Sequence, residues 1–428
     1  MRVVALCLFF LSHSVSADSL TLAQLIDRSL NANPETRAAW QRSRSQVERV
    51  GIAKSSYYPT LDASASINER LGDSALLGSE RQTQVSLSSQ WLLWDFGGRR
   101  ANLDSAQHTL AALQASQDAA SQQVAIRAVQ NWFTQLSAQA SLEAAQASLL
   151  AAEETAKAAR QRQLIGVATR EEELQAETAL AQAKLIVIQR QGELAASAGQ
   201  LAVVAGYDAD TVLALDYQDS ALDRLSQQTN AQPPELKQLL ALAQERRPEL
   251  IAQQLRVKAN HSELDRIAAQ ARPRLSLSAS STNSRDDLNQ NQGGQLALTA
   301  TLPLFTGFQQ RHQQALAQSQ IAEQGVELAR IKQQVSLDVW LAWQQLSTAQ
   351  ARITATDSLL AAASESSRAA LARYQAGIGN LLNVLTAQSN LADARQQHAR
   401  SRFDLAAARL QLAQASGLLV RDTATEFR

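Results

Sequence analysis

Most of this chain consists of two similar repeats that follow one another along the sequence. The matched residues are Pro34 and Pro248, and Pro59 and Pro273, at a separation of 214, then Arg100 and Arg311, Trp132 and Trp343, Gly166 and Gly377, and Ala176 and Ala387 at a separation of 211. Self-similarity over such a distance indicates one supersecondary unit that was duplicated and that cannot complete its structure alone.

Composition and the N-terminus restrict the class of protein. Acidic and basic side chains balance in the 428 residues, so the chain lacks the strongly basic surface of a nucleic-acid-binding protein. Residues 1–17 carry Arg2, an apolar run and small residues at the end, which predicts a signal peptide cleaved before Asp18. The only cysteine, Cys7, lies in that segment, so the mature chain is predicted to have no disulfide. Export without disulfides fits a bacterial envelope protein.

Two long intervals contain almost no helix breaker. Residues 99–165 lack Pro and Gly, and residues 309–376 lack Pro and contain only Gly325. Strong helix formers dominate both, so each interval predicts one helix of roughly 100 Å at about 1.5 Å per residue. Apolar residues three and four positions apart predict coiled-coil seams. The seam positions are Leu103, Ala106, Leu110, Leu113, Gln117, Ala120 and Val124 in the first copy, and Leu328, Ile331, Val335, Val339, Ala342, Leu346, Ala349 and Ile353 in the second.

Before each long helix, the period of the apolar residues changes from 3.6 to 2. The pattern predicts four strands, at about 58–69, 82–94, 273–284 and 294–305. One face of each strand is apolar and the other is rich in Ser, Thr and Gln, as in membrane strands around a hydrophilic lumen. Aromatic residues at the strand ends suit a membrane-interface girdle. They are Tyr57, Tyr58, Trp91, Trp94, Phe96, Phe305 and Phe308.

The same alternation also allows two soluble hairpins packed on the helices. Against this alternative, the sequence offers no complementary apolar helix face near the strands. If the strands lie in a membrane, four of them cannot close a barrel, and an open sheet edge in lipid leaves backbone groups unsatisfied. Several chains would then have to contribute to one barrel.

Three segments in this order carry a family resemblance. They are LLWDFGGRR at 92–100, LPLFTGFQQR at 302–311 and YQAGIGNLLNVLTAQ at 374–388. With the duplicated plan, they resemble the TolC-type outer-membrane efflux proteins over nearly the whole mature chain. The resemblance implies a mostly α fold with a transmembrane β part: a homotrimer with one 12-stranded β-barrel, continued by an α-helical coiled-coil tunnel. It also implies that the protein lies in the outer membrane of a Gram-negative bacterium and that the tunnel crosses the periplasm. Two partners are implied as well: a periplasmic adaptor (membrane fusion) protein and an inner-membrane pump of the RND, ABC or MFS type.

The tips of the predicted helical hairpins match the family only in part. The family tip has the form Y-x-A-G-T-R-x-x-x-D-V-x-D, in which Tyr374 and Gly377 are matched, whereas Gly379 stands in place of the arginine. We hypothesise that Glu171, Glu172 or Glu173 forms an acidic entrance ring and that Tyr374 and Arg170 hold the closed state. The alternative is that these acids only complement the helix dipole. The candidate tip, gate and adaptor-docking residues are Gly166, Arg170, Glu171, Glu172, Glu173, Tyr374, Gly377 and Asn383.

The predicted organisation follows the duplication. It comprises a signal peptide (1–17), a first repeat (18–205) with a helical hairpin at 98–205, a linker (206–235), a second repeat (236–417) with a hairpin at 308–417, and a tail (418–428). The sequence has no phosphate-binding glycine loop, no G-x-S-x-G motif and no histidine pair at ligand spacing, so we expect no enzyme, no metal site and no cofactor.

The predicted function is that of an outer-membrane exit duct that passively exports small molecules such as drugs or metal ions. One alternative is a type I protein secretion duct of the same fold. The other, from a different class, is a soluble periplasmic coiled-coil adaptor or scaffold.

Overall fold

The computed structural model describes residues 20–70, 80–215, 235–285 and 290–418. The predicted signal peptide lies outside the described residues, as do most of the predicted linker, nearly all of the tail, most of the first predicted strand-to-strand loop and part of the second.

Helices make up most of the described chain, and their ends repeat at the separations seen in the sequence. The helices are α1 (Leu22–Ala32), α2 (Pro34–Ser55), α3 (Gly98–Leu164), α4 (Arg170–Val204), α5 (Leu236–Arg246), α6 (Pro248–Ala269), α7 (Gln309–Gln375) and α8 (Leu381–Ala415). Both ends of α5 and α6 lie 214 residues after those of α1 and α2, and both ends of α7 and α8 lie 211 residues after those of α3 and α4. The duplication is therefore a duplication of structure.

Short-range signals explain where several helices begin. The Thr21 side chain accepts a hydrogen bond from the Gln24 amide at 3.3 Å, and Gln24 Oε1 accepts one from the Thr21 amide at 3.0 Å, a capping box that fixes the start of α1. Pro34 and Pro248 are the first residues of α2 and α6, where a missing amide hydrogen costs nothing.

Four strands form one antiparallel sheet in the order β1-β2-β3-β4. They are β1 (Thr60–Arg70), β2 (Glu80–Trp94), β3 (Arg274–Arg285) and β4 (Gln290–Thr301). The central β2–β3 pair joins the first repeat to the second. Apolar side chains on one face are exposed rather than packed on helices, with Leu61 at 68% and Leu296 at 74% exposure. The alternative of two hairpins packed on the helices does not describe this sheet.

The fourth strand differs from its predicted bounds of 294–305. It begins earlier because Asn291 pairs with Ser284 across the sheet, although the local sequence, with Gly293 and Gly294, is typical of a loop. It ends at Thr301, and Pro303 soon follows, which has no amide hydrogen to donate to a ladder.

The chain divides into two compact units, and each draws on both repeats. The first contains the described parts of Met1–Thr36, Ser121–Leu239 and Asp338–Arg428, and the second contains those of Arg37–Ala120 and Leu240–Leu337. In the first unit, Trp132 of α3 is buried in a cluster with Leu25 of α1, Leu201 of α4 and Ala406 of α8. Trp132 is a packing residue, and the core of this unit needs side chains from both repeats.

Five of the eight predicted seam positions in the second long helix are buried, compared with one of the seven, Val124, in the first. Val335, Val339, Ala342, Leu346 and Ala349 are buried along α7. Along α3, the predicted positions Leu110 and Leu113 are only half-buried, whereas Ala112 and Ala115 are buried. Alanine occurs on several faces of α3, so its pattern defines the buried face weakly. None of the described helices combines the length and the apolar character needed to cross a membrane.

Candidate functional site

The two hairpin tips lie in the first compact unit and share one backbone design. Gly166 and Gly377 have φ of +80° and +78°, a left-handed conformation that is strained for residues with a Cβ atom. The Val167 amide donates to the Arg162 carbonyl at 3.0 Å, and the Ile378 amide donates to the Arg373 carbonyl at 3.1 Å. These bonds form the Schellman motif that ends a helix, so each glycine ends a long helix.

The helices that leave the tips are capped at equivalent positions. The Thr169 hydroxyl accepts a hydrogen bond from the Glu172 amide at 3.2 Å, and Asn380 Oδ1 accepts one from the Asn383 amide at 2.9 Å. The side chain of Asn383 is exposed. Asn383, a predicted tip residue, thus has its backbone in a cap and its side chain in solvent.

The three adjacent acids have different surroundings. Glu171 is exposed and accepts a hydrogen bond from Gln175 Nε2 at 3.2 Å. Glu172 is half-buried. The Glu173 side chain is only 5% exposed and forms an ion pair with Arg170, whose side chain is 64% exposed. Because the charge of Glu173 is buried and paired, the acidic ring stays a prediction in which Glu171 or Glu172 is the better candidate.

The Arg170–Glu173 ion pair takes the place of an apolar pair in the second repeat. At the separation of 211, Arg170 corresponds to Leu381 and Glu173 to Val384, and both of these apolar residues are buried. The two tips therefore share a backbone and differ in the chemistry of the first turn of the returning helix.

Tyr374 is buried where the two hairpins meet. It is 1% exposed and packs in a cluster with Ala156 and Ala159 of α3, Ala176 of α4, and Leu381 and Val384 of α8. Its hydroxyl is buried and has no hydrogen-bond partner among the described residues. Burial raises the pKa of this hydroxyl, the Glu172 carboxylate raises it further, and Arg162 opposes them. The hydroxyl therefore stays protonated at neutral pH.

The cation beside Tyr374 is Arg162, which the sequence reasoning did not select. Arg162 Nη1 donates to the Tyr374 carbonyl oxygen at 2.8 Å, and its Cζ lies 4.7 Å from the centre of the Tyr374 ring. Arg170, predicted to act with Tyr374, instead pairs with Glu173 on its own helix. Arg162 and Arg373 are equivalent at the separation of 211, which is the one sequence signal that marks this position.

Gly379 lies against the backbone beside Tyr374. A Cβ atom at this position would stand 3.1 Å from the Tyr374 nitrogen and 3.2 Å from Arg373 Cβ. Tight packing thus accompanies the glycine that stands where the family pattern has arginine.

The outermost residues of both tips form an apolar surface. Leu164, Ile165 and Val167 of the first tip are 58–74% exposed, as are Ile378 and Leu382 of the second. Contiguous exposed apolar residues rimmed by polar ones are typical of interaction sites.

The predicted interface aromatics lie at one end of the sheet, where the strands meet the helices. All seven expose much of their surface. Trp91 Nε1 donates to the Tyr57 carbonyl oxygen at 3.0 Å. Edge-to-face contacts join Trp94 to Phe96 at 6.1 Å between ring centres and Phe305 to Phe308 at 5.4 Å. Tyr58 is also exposed beside this group, at the residue before Pro59. Among the described residues, no group of three or more His, Cys, Asp or Glu side chains is arranged to hold a metal ion.

Comparison with known proteins gives the family. A family model described as "Outer membrane efflux protein" matches residues 25–207 and 239–418. The chain belongs to this family. The predicted resemblance and fold class are confirmed, since the match covers both repeats and is interrupted between them.

Similar proteins and structures come from several bacteria. Protein CyaE of Bordetella pertussis is 29% identical over 413 residues, which cover 95% of this chain and 86% of CyaE. The crystal structure of outer membrane protein VceC from Vibrio cholerae has a TM-score of 0.78 at 21% identity, covering 92% of this chain and 96% of VceC. The CmeC outer membrane channel of Campylobacter jejuni has a TM-score of 0.81 at 18% identity, covering 92% and 85%. At these identities, the two crystal structures establish the fold.

Proposed function

We propose that this chain is the outer-membrane exit duct of a tripartite efflux or secretion system and that it passively exports small molecules such as drugs or metal ions. The observation that carries the proposal is the sheet, because one of its faces is apolar and exposed while the other presents hydroxyl and amide groups. A sheet with two such faces is suited to contact lipid with its apolar face and a water-filled passage with its polar face.

The strand register supports this division of faces. Trp91 lies opposite Leu277, and Leu277 lies opposite Leu298, so one row of the sheet is apolar across three strands. On the other face, Ser88 lies opposite Ser280, and the hydroxyls of Ser64 and Ser86 are 2.7 Å apart. Contact with lipid would remove the exposed apolar side chains from water, which is favourable by about 25 cal/mol for each Å² of apolar surface buried.

Closure of the sheet calls for more than one chain. The outer strands β1 and β4 are the edges of the four-stranded sheet, and unpaired edges are not tolerated in the hydrocarbon region. We infer a homotrimer in which three chains close one 12-stranded barrel, with Tyr57, Tyr58, Trp91, Trp94, Phe96, Phe305 and Phe308 as aromatic anchors at the periplasmic interface.

The hairpin tips are the proposed gate and docking surface. The exposed apolar residues Leu164, Ile165, Val167, Ile378 and Leu382 would meet a periplasmic adaptor protein, with Gly166 and Gly377 fixing the two turns. The adaptor in turn would connect the duct to an inner-membrane pump of the RND, ABC or MFS type, which supplies the energy.

Cell fractionation and bilayer recordings test this proposal. We expect the protein in outer-membrane fractions, as a trimer in detergent whose gel mobility changes on heating, and as a pore in planar bilayers. Recovery as a soluble periplasmic monomer would instead identify an adaptor or scaffold. A deletion strain separates substrates: sensitivity to drugs or metal ions supports small-molecule efflux, whereas loss of a secreted polypeptide supports the type I secretion alternative.

A further inference from the structure

We infer that Arg162 is the positioning residue that fastens the two helical hairpins of one chain to each other at their tips, and that closure of the duct depends on it. The inference rests on the proposed duct function and adds a residue of the first repeat to its regulation. Its basis is the contact between Arg162 and Tyr374, two residues 212 positions apart in the sequence.

Arg162 lies close to the C-terminal ends of two helices, where a cation is favoured. Arg162 lies in the last turn of α3, and the carbonyl oxygen that it reaches belongs to Tyr374 in the last turn of α7. The C-terminal end of a helix carries partial negative charge, which a cation stabilises. One guanidinium group thus interacts with the C-terminal ends of both long helices.

Arginine is suited to this site because it makes two kinds of contact at once. Its guanidinium group donates a hydrogen bond to the Tyr374 carbonyl, while its Cζ lies 4.7 Å from the centre of the aromatic ring. Lysine has a compact charge on a flexible stem and lacks the planar group that stacks on a ring. We therefore expect lysine to replace arginine only in part.

The Tyr374 ring, and not its hydroxyl, makes the contact. The hydroxyl is buried and has no partner among the described residues, whereas the ring and the main-chain carbonyl both face Arg162. Removing a buried hydroxyl that has no partner costs little, because no hydrogen bond is lost. Tyr374→Phe should therefore preserve the contact with Arg162, whereas Tyr374→Leu should remove the part of the contact that the aromatic ring makes.

The duplication supplies a matched control. Arg373 occupies the position in the second repeat that Arg162 occupies in the first, and it is exposed. The residue equivalent to Tyr374 in the first repeat is Gln163, which offers no aromatic ring. The same arginine therefore occurs twice, and within the described part of the chain the first copy alone reaches an aromatic ring across the hairpins.

A second link between the hairpins lies farther from the tip. Gln388 Nε2 of α8 donates to the hydroxyl of Thr155 of α3 at 2.9 Å, and Thr155 is buried. This link is independent of Arg162. Loss of Arg162 should therefore loosen the tip without separating the hairpins along their length.

Single-channel recording of the purified trimer in planar bilayers tests the inference. We expect Arg162→Gln to raise the ratio of open to closed time at least tenfold, equivalent to about 1.4 kcal/mol, with trimer yield and heat-modifiable mobility unchanged. Arg373→Gln should behave as wild type, and Arg162→Lys should lie between the two. Tyr374→Phe should gate as wild type, whereas Tyr374→Leu should open the pore.

The outcomes separate this inference from the proposed function. If the wild-type protein forms no pore, the duct proposal itself fails. If the wild-type pore is gated and Arg162→Gln matches Arg373→Gln, the duct stands and the role of Arg162 is wrong. If Arg162→Gln does not assemble, the Tyr374 variants decide: equal opening by Tyr374→Phe and Tyr374→Leu would assign the closure to the hydroxyl and overturn the inference.

Discussion

At the scale of single residues, two adjacent arginines at the first strand-to-helix junction have opposite surroundings. Arg99 donates from Nη1 to the Leu92 carbonyl at 2.6 Å and from Nη2 to the Leu93 carbonyl at 2.9 Å. Its side chain is 13% exposed and lies beside Asp95, which is 12% exposed. Asp95 also accepts a hydrogen bond from the Arg99 amide at 2.6 Å, which caps α3. Arg100, in contrast, is 84% exposed and 3.9 Å from Asp104.

This contrast gives the first prediction. Arg99→Gln leaves the Asp95 carboxylate buried without its cation and removes hydrogen bonds from two strand carbonyls, so we expect a loss of about 3 kcal/mol in the free energy of unfolding. Arg100→Gln should cost less than about 1 kcal/mol, because its partner is exposed to solvent. Urea unfolding in detergent measures both. Equal losses would show that burial at this junction does not matter.

The acids after the first tip give the second prediction, also at residue scale. An exposed carboxylate about 10 Å from a passing cation contributes about 0.4 kcal/mol in water, or a factor of about two in local cation concentration. Glu171→Gln should therefore lower cation selectivity at about 10 mM salt and have little effect at 1 M, where screening acts over about 3 Å. Reversal potentials in salt gradients measure this effect.

Glu173→Gln is the control for that experiment. The Glu173 carboxylate is buried and paired with Arg170, so its removal should leave selectivity nearly unchanged. Selectivity that responds neither to Glu171→Gln nor to Glu172→Gln would end the acidic-ring hypothesis, and the acids would then serve only as dipole partners at the start of α4.

At the scale of helices and strands, the sequence predicts what local chemistry determines. The long helices follow from intervals without breakers, and Gly166 and Gly377 fix their ends because the turn requires a positive φ. The start of β4 was misplaced because its Asn and Gly residues form a strand only when paired with β3. The Arg162–Tyr374 contact is not predictable from the sequence for a related reason, because it depends on how the two hairpins pack. Arg373 occupies the equivalent position before Gly377, so the local sequence does not distinguish the two arginines.

The third prediction concerns the two faces of β2. Leu87 is the middle residue of this strand and lies on the apolar face, where it is exposed, whereas the next residue, Ser88, lies on the hydroxyl face opposite Asp62. An arginine on a lipid-facing position at the bilayer midplane costs about 2–4 kcal/mol. We expect Leu87→Arg to reduce the folded, heat-modifiable fraction in outer membranes and Ser88→Arg to leave it unchanged. The reverse result would invert our assignment of the faces.

At the scale of the whole molecule, the two repeats cannot be separated into two folded domains. Each compact unit takes residues from both repeats. The cluster around Trp132 combines α1, α3 and α4 with Ala406 of α8, and the sheet is joined through the β2–β3 pair. A repeat that can bury its apolar residues only against the other repeat is not stable alone.

The last prediction follows from this interdependence. Residues 18–215 and 235–428, expressed separately, should each fail to show cooperative unfolding, because each half lacks partners for its buried side chains and for one edge of its strand pair. Expressed together in one cell, the halves should assemble, since the missing contacts are then supplied in trans. Thermal unfolding followed by circular dichroism and limited proteolysis measure the outcome. A cooperative transition in the first half alone would show that its Trp132 cluster is complete without α8, and the two repeats would then be two domains after all.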